Sequence, residues 1–583
     1  MRHILLIVLI VAAAYAVMIS GNFVLDDYNV IINNSFVKNW RNFPLIFSRG
    51  YLTSFEDIGV NQGTYGIGSG ETTYRPVATV SYFINYTIFG LRPWGYRLTN
   101  LSLHIINAVL AYLLLNLLLG NRRLSFFAAA LFGIHPVNAE VVNCTGYRPN
   151  LLVFLFGILS LILYFKFNSR GEKERKFIYL IFSLASFLLA LFSKEIGIVL
   201  PFALILCDLY YRDFNLKKVR LNLRWYVCYF LAGLFYVCVY FLLVPPRQEI
   251  FKFTALADSL PRMLTVLGVY LKEIILPANP VYILPTPLKN SYFMAGLALA
   301  AILLGIYSVK KMKAWKAASF GVIWFFVWLL PLNNFLNSFR VVMANRFLYA
   351  PVLGFTLLLG AFLTKVSEGR AKISLNIPVL RYMLPFALFG YFFIFSVSAN
   401  FLWRNELLLS QAVVEKYPSS SLAHLERGRA LIMKGDYGRA EDEIMTALSL
   451  KQWLKGRYVY DLARADVFLG IIYTQRKEYA QAEKAYVAAA TLLPNAAVVR
   501  TQLGILYDFA GLSQQALQQL DAAKKLNPGY IPAYIESARV YIGLKDYARA
   551  EAEFLKTLEM DPTSQEAKAG LRQIKSVMKG REE

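Results

Sequence analysis

Asp26 and Asp27 stand side by side just after an apolar run that ends at Ser20. A carboxylate at the edge between water and lipid can take a proton from a hydroxyl, so this pair suits general-base work. Further along come His135-Pro-Val-Asn-Ala-Glu140 and then Tyr147-Arg148-Pro149. Lys194-Glu195 and Asn345-Arg346 follow, with Arg340 shortly before the latter, each at the edge of an apolar segment. In a low-dielectric site, Arg and Lys stabilise negative charge developing on a departing phosphate. A carboxylate base with a cationic clamp is therefore the chemistry these residue types suit.

A blander reading stands beside it. Lys194–Glu195 and Arg148–Glu140 can be helix-end pairs whose long side chains reach for the interface. Ionisable groups at several span ends are nevertheless costly unless paired or used, and the adjacent acids favour use. On a helix-like turn the two Asp side chains diverge by about 100°, so only one need face a substrate. Mutual repulsion can raise the pKa of one of them. The pair could also hold a divalent cation, although a lone acid pair is weak evidence and no His or Cys set has zinc-ligand spacing. His135 is the one imidazole of four placed to reach the group, with a structural role as an equal alternative.

The elements that must position these residues lie in a membrane. Of 583 residues, 57% are hydrophobic and only 17% charged. Soluble domains carry about a quarter charged residues, which argues against an ordinary cytosolic enzyme. Met1–Ser20 has Arg2 and then an apolar run without a convincing cleavage site, so it reads as a retained first helix. Basic clusters recur at 122–123, 170–176, 212–224, 310–316 and 365–381. Lys and Arg collect on the cytoplasmic side of spans about 20 residues long. Placing all five clusters there predicts eleven spans near 4–20, 98–119, 124–141, 149–167, 177–193, 195–211, 225–244, 291–309, 317–333, 345–363 and 382–402. The net charge of +24 is thus mostly the inside rule rather than a nucleic-acid footprint. Pro261–Pro287 is apolar but interrupted by Lys272, Glu273 and five prolines, and reads as re-entrant or surface-lying. Residues 21–97 form a long outer loop, and the candidate residues gather on that same side. Four cysteines are too few for a disulfide framework.

Near Trp403 the composition turns to Ala, Leu, Glu, Lys, Arg and Gln, dividing the chain into 1–402 and 403–583. Pro494, Pro528 and Pro562 recur every 34 residues, in phase with Gly470, Gly504 and Ala538 and with Tyr486, Leu520 and Phe554. Small residues let paired helices approach, aromatics fill between them, and proline ends each second helix. The period is that of tetratricopeptide repeats, near 421–454, 463–496, 497–530 and 531–564, with a capping helix over 565–579. The expected fold is all-α: a polytopic membrane bundle followed by a helical solenoid whose groove binds an acceptor or partner.

Several strings resemble the transmembrane-and-tetratricopeptide O-mannosyltransferases: FVLDDYNVIINN, TYRPVATVSYFINYTIFG, LFGIHPVNAEVVNCTGYRPN, LFSKEIGIVLPF and MANRFLYAPVLGF. The resemblance runs over essentially the whole chain. It implies a multi-span glycosyltransferase of the GT-C type, with a polyprenyl-phosphate sugar as donor and a protein hydroxyl as acceptor, transferred with inversion. Carried over residue by residue, it implies Asp26 and Asp27 as catalytic, with Arg346, Arg148 and Lys194 holding the donor phosphate. His135, Glu140, Glu195 and Arg75 support them. One departure is Asn345, where the family usually has an acid. The few repeats and bare architecture suggest a bacterial cytoplasmic membrane, with the site and repeats on the periplasmic side. Two other readings remain: an inactive repeat scaffold tethered to the membrane, and a lipid-handling transporter or ligase. Intact Asp26, Asp27, Arg148 and Arg346 argue against the first, and the acid pair on a long outer loop suits transfer better than the second.

Overall fold

The computed structural model describes residues 1–32, 34, 36–47, 74–168, 176–244, 256–277, 294–299, 301, 305, 307, 316–329, 343–368, 380–450 and 458–582. Among them, every regular element is helical. Arg340, much of the outer loop, and most of the basic clusters at 170–176, 310–316 and 365–381 lie outside the described residues.

Five helices are long and apolar enough to cross a membrane: Arg2–Ser20, Pro93–Leu119, Thr145–Asn168, Leu223–Leu243 and Met383–Leu402. A sixth arises if Arg122–Gly133 and Pro136–Asn143, bent by 46°, are one broken span. Phe177–Ser193, Lys316–Leu329 and Val352–Ser367 are apolar but shorter. The eleven spans expected from charge are not reached among the described residues, for three reasons besides those three short helices. About half of the expected span 291–309 falls outside them. The expected span 195–211 is split into a tight turn, Glu195–Val199, and a 12-residue helix, Leu200–Tyr211. The expected span 124–141 breaks ahead of Pro136, which lacks the N–H that a continuing helix needs.

Close backbone approach sets how these helices meet. A Cβ on Gly321 would lie 2.6 Å from Gly354 O, and one on Gly360 would lie 3.0 Å from Ala128 N. Helix Val352–Ser367 therefore sits tightly between Lys316–Leu329 and Arg122–Gly133. That sandwich fixes the turn Asn345–Leu348 beside the bend at Pro136–Asn143. The segment around Pro261 forms a helix, Leu256–Ile275, whose Tyr270 and Ile274 are buried in the core.

The second region is a solenoid of helix pairs: Ser421–Met433 with Tyr437–Leu450, Tyr458–Gln475 with Tyr479–Leu492, Ala497–Phe509 with Ser513–Leu526, and Ile531–Gly543 with Tyr547–Met560. Gln565–Glu582 closes it. The 34-residue logic is visible in packing. A Cβ on Gly470 would lie 2.5 Å from the Tyr486 ring, and one on Gly504 would lie 2.7 Å from Leu520 Cγ. Both ends of the solenoid touch the membrane region. At the near end Asn22 N–H donates to Arg404 O (2.8 Å) and Arg97 to Trp403 O (2.9 Å). At the far end Lys38 pairs with Asp561 (3.4 Å) and Tyr86 O–H meets Thr563 Oγ1 (2.7 Å).

Candidate functional site

The two adjacent acids part company in the structure. The first helix ends at Ser20, and residues 24–27 make a tight turn in which Asp27 N–H donates to Val24 O (3.0 Å). Leu25 takes a left-handed backbone, φ +49°. That conformation costs a non-glycine residue about 1–2 kcal/mol, so something must hold it. Asp27 turns inward and is 1% exposed, whereas Asp26 is exposed. The Asp27 carboxylate accepts from Val24 N (3.1 Å), Gly146 N (2.9 Å) and Cys144 Sγ (3.3 Å). It thereby ties the turn to the loop between two helices of the bundle. Burial pushes its carboxyl up to about 6, against the lowering pull of the Gly146 and Val24 amides and of Arg97. Repulsion by Asp26, the cause expected from the sequence, is not what raises it.

Asp26 faces the other group. It lies close enough to Glu140, Tyr147 and Arg346 to interact with each electrostatically. The backbone of Gly146 passes tightly beneath it: a Cβ there would fall 2.8 Å from Asp26 Cβ. Glu140, on the short helix after the bend, engages Arg346 twice. One oxygen accepts from Arg346 Nη1 (2.6 Å), the other from the Arg346 backbone N–H (3.1 Å). The guanidinium lies over the rings of Tyr147 (4.4 Å) and Phe347 (5.3 Å).

Lys194 caps helix Phe177–Ser193 and points to the same place. Its Nζ donates to Asn150 Oδ1 (2.6 Å) and lies 5.6 Å from the Phe347 ring. Burial pulls its amine down to about 7, with the Arg75 and Arg346 cations adding to the effect and Glu195 opposing it. Glu195 accepts a two-pronged contact from Arg75 at 3.0–3.3 Å. Asn150, Lys194, Arg346 and Phe347 line one small cavity of about 20 Å³, together with Trp328 and Tyr349. Arg75, Lys194 and Arg346 gather here with the carboxylates Glu140, Glu195 and Asp26, so cations able to hold an anion stand beside a carboxylate able to take a proton.

Two of the expected residues sit in a different layer. Arg148 is fully buried, and its guanidinium is spent on Asn100 Oδ1 (2.8 Å), Ser81 Oγ (3.0 Å) and Tyr96 O (3.4 Å), over the Tyr82 ring. It braces helices around the site rather than facing the cavity. His135 is also fully buried; its Nε2 contacts Ile274 O (3.0 Å) and its Nδ1 accepts from Val137 N. It packs helix Leu256–Ile275 onto the bend. As for a cation between Asp26 and Asp27, the Asp27 oxygens already accept three donors. Among the described residues, no three His, Cys, Asp or Glu side chains converge as ligands.

Sequence reasoning missed Arg97, Asn150 and Glu406. Arg97 joins Met18 O (3.1 Å), Asn143 Oδ1 (3.0 Å), Asn22 O and Trp403 O, so one guanidinium connects four chain segments. An arginine opening an apolar 20-mer was the available signal. Glu406 accepts from Leu25 N (3.2 Å) across 381 positions, a contact that no local pattern announces.

The tetratricopeptide repeat family model matches residues 531–564. The chain is 25% identical over 469 residues to the protein O-mannosyl-transferase F38B6.6 of Caenorhabditis elegans, covering 76% of this chain and 61% of that one. It is 22% identical to the human protein O-mannosyl-transferase TMTC3, covering 96% of this chain and 64% of that one. Against the human protein O-mannosyl-transferase TMTC2 it is 32% identical over 165 residues, 28% of this chain and 18% of that one. The chain thus spans about three fifths of the length of the first of these relatives.

Proposed function

We propose that this chain, a homologue of the transmembrane-and-tetratricopeptide protein O-mannosyltransferases, moves a sugar from a polyprenyl-phosphate donor to a hydroxyl of an acceptor protein. The observation that carries this reading is the meeting of an exposed carboxylate, Asp26, with the Arg346–Glu140 pair and Lys194 at one end of the membrane bundle. A sugar on a lipid phosphate already has its leaving group. The enzyme needs only a base for the hydroxyl and positive charge for the departing phosphate.

In this reading Asp26 takes the acceptor proton, while Asp27 holds the turn. The hydroxyl oxygen attacks the anomeric carbon from the side opposite the phosphate, so the anomeric configuration inverts. Arg346 and Lys194 receive the charge that develops on the phosphate oxygen. Glu140 and Asn150 aim those cations, and Arg148 braces the helices behind them. A mannose-like sugar accords with the names of the relatives. The bundle is of the GT-C type, with the site and repeats on the outer face. The repeats, docked on the same end of the bundle as Asp26, hold the acceptor as an extended segment.

The test is transfer from a radiolabelled polyprenyl-phosphate mannose to a Ser/Thr peptide by the purified full chain. Asp26→Asn is expected to lower the rate by about 10²–10⁴-fold, the usual range for losing a general base, with donor binding retained. Near-normal transfer by Asp26→Asn combined with Asp27→Asn would overturn the assignment.

A further inference from the structure

We propose that Glu406, which lies outside the membrane bundle, is a positioning residue for Asp26. Its carboxylate holds the Leu25 backbone N–H, and the first tetratricopeptide repeat holds the carboxylate. This rests on the reading of Asp26 as the base.

The argument starts with the backbone. Leu25 precedes Asp26 and is left-handed at φ +49°, a conformation that leucine adopts only when its surroundings enforce it. Inside the turn, Asp27 N–H goes to Val24 O and Tyr28 N–H to Leu25 O. The Leu25 N–H is turned outward, and Glu406 Oε1 receives it at 3.2 Å. Neighbouring contacts make the same junction: Asn22 N–H to Arg404 O, and Val24 packed with Ala139, Trp403 and Val413. The turn that aims Asp26 is therefore built partly from residues 403–414.

Glu406 is in turn fixed from the repeats. It is 7% exposed, and Arg429, on the first repeat helix Ser421–Met433, donates to the same Oε1. Arg429 also meets Glu426 (3.0 Å), Glu426 meets Arg464 of the second repeat (2.8 Å), and Arg464 meets Asp461 (3.3 Å). All five residues are at most 8% exposed. Charges alternate along the chain, so each member compensates its neighbours away from water. Tyr28 also lies beside Glu406. A continuous charged path thus runs from the interior of two repeats to the residue before Asp26. A pure docking module, hung on the bundle by a linker, would need none of it.

The consequence is that the first repeats take part in the chemistry of even a short acceptor. Glu406→Ala removes the acceptor for Leu25 N–H; Glu406→Gln keeps it while removing the charge. On a short Ser/Thr peptide, Glu406→Ala should lower kcat about 10- to 100-fold while donor Kd stays within twofold, and Glu406→Gln should regain most of the loss. Arg429→Met, remote from the turn, should lower kcat in the same direction. Unchanged kcat in Glu406→Ala, or an equal loss in the Ala and Gln variants, would overturn the proposal. If Glu406→Ala does not yield folded protein, Arg429→Met decides: lost kcat with unchanged donor Kd supports it, and unchanged kcat overturns it. Asp26→Asn is measured alongside. Full activity there would sink the base assignment and this proposal together. An inactive Asp26→Asn beside a fully active Glu406→Ala would sink this one only.

Discussion

Replacing Glu140 by Gln separates a phosphate clamp from a structural strut. Glu140 is 2% exposed, and each of its oxygens accepts one hydrogen bond from Arg346. Gln keeps one carbonyl acceptor but turns an amide donor toward the second Arg346 donor. One charge-assisted hydrogen bond is lost, about 1.5–3 kcal/mol. Removing one partner of a buried pair can cost about 3–5 kcal/mol, because the other charge is left behind. Here the cost should fall at the lower end, since the Arg346 side chain is 14% exposed and keeps the Tyr147 and Phe347 rings. The guanidinium, with Asp26 the carboxylate left beside it, then offers more of its charge to an incoming phosphate. Donor Kd is expected to hold or to tighten by up to about tenfold, roughly 1.4 kcal/mol. The rate of the bound complex should fall, because tighter ground-state binding and a poorly aimed cation both raise the barrier from that state. Arg346→Gln should do the opposite to binding, weakening the donor by about 10- to 100-fold, the equivalent of one charge-assisted hydrogen bond. Donor titration of protein in nanodiscs gives Kd, and single-turnover transfer gives the rate. An unchanged Kd in Arg346→Gln, or equal loss of donor affinity in both variants, would refute the reasoning and leave the pair as a strut.

Two further outcomes follow from the same geometry. Lys194 is held near pH 7, so at pH 8 about one tenth of it is charged, while a lipid phosphodiester does not titrate in this range. A bound phosphate favours the ammonium, so donor affinity should fall by up to about tenfold per unit from pH 7 to 9, and Lys194→Met should flatten that profile; a flat profile in the native chain would count against Lys194 as a phosphate ligand. Gly146→Ala should place a methyl 2.8 Å from Asp26 Cβ while the Gly146 N–H still anchors Asp27. Displacing the base in this way should cost about 10²-fold in kcat with donor Kd unchanged, and wild-type turnover would show that Asp26 need not be where the structure puts it.

What the sequence determined by itself was periodic or compositional. Apolar runs, basic clusters and the 34-residue recurrence of Gly470, Gly504 and the prolines are local regularities, and each follows from a single rule of solvent or helix geometry. The motif residues were legible too, as charged residues in places where charge is costly. Their roles were not, because spacing along the chain says nothing about which side of a turn a carboxylate takes. Asp26 and Asp27 are identical neighbours in sequence; a left-handed Leu25 and the amides of Val24 and Gly146 make one exposed and the other a buried tie. Arg148 and Arg346 both carry a guanidinium at a helix start, yet Asn100, Ser81 and Tyr96 use up the first, while Glu140 holds the second at the cavity. The span count shifted because Pro136 and the Glu195–Val199 turn break helices that hydropathy reads as continuous. Glu406 was beyond reach altogether. Its contact with Leu25 joins two regions of different composition, and only the docking of the repeats onto the bundle brings that carboxylate to an amide 381 residues away.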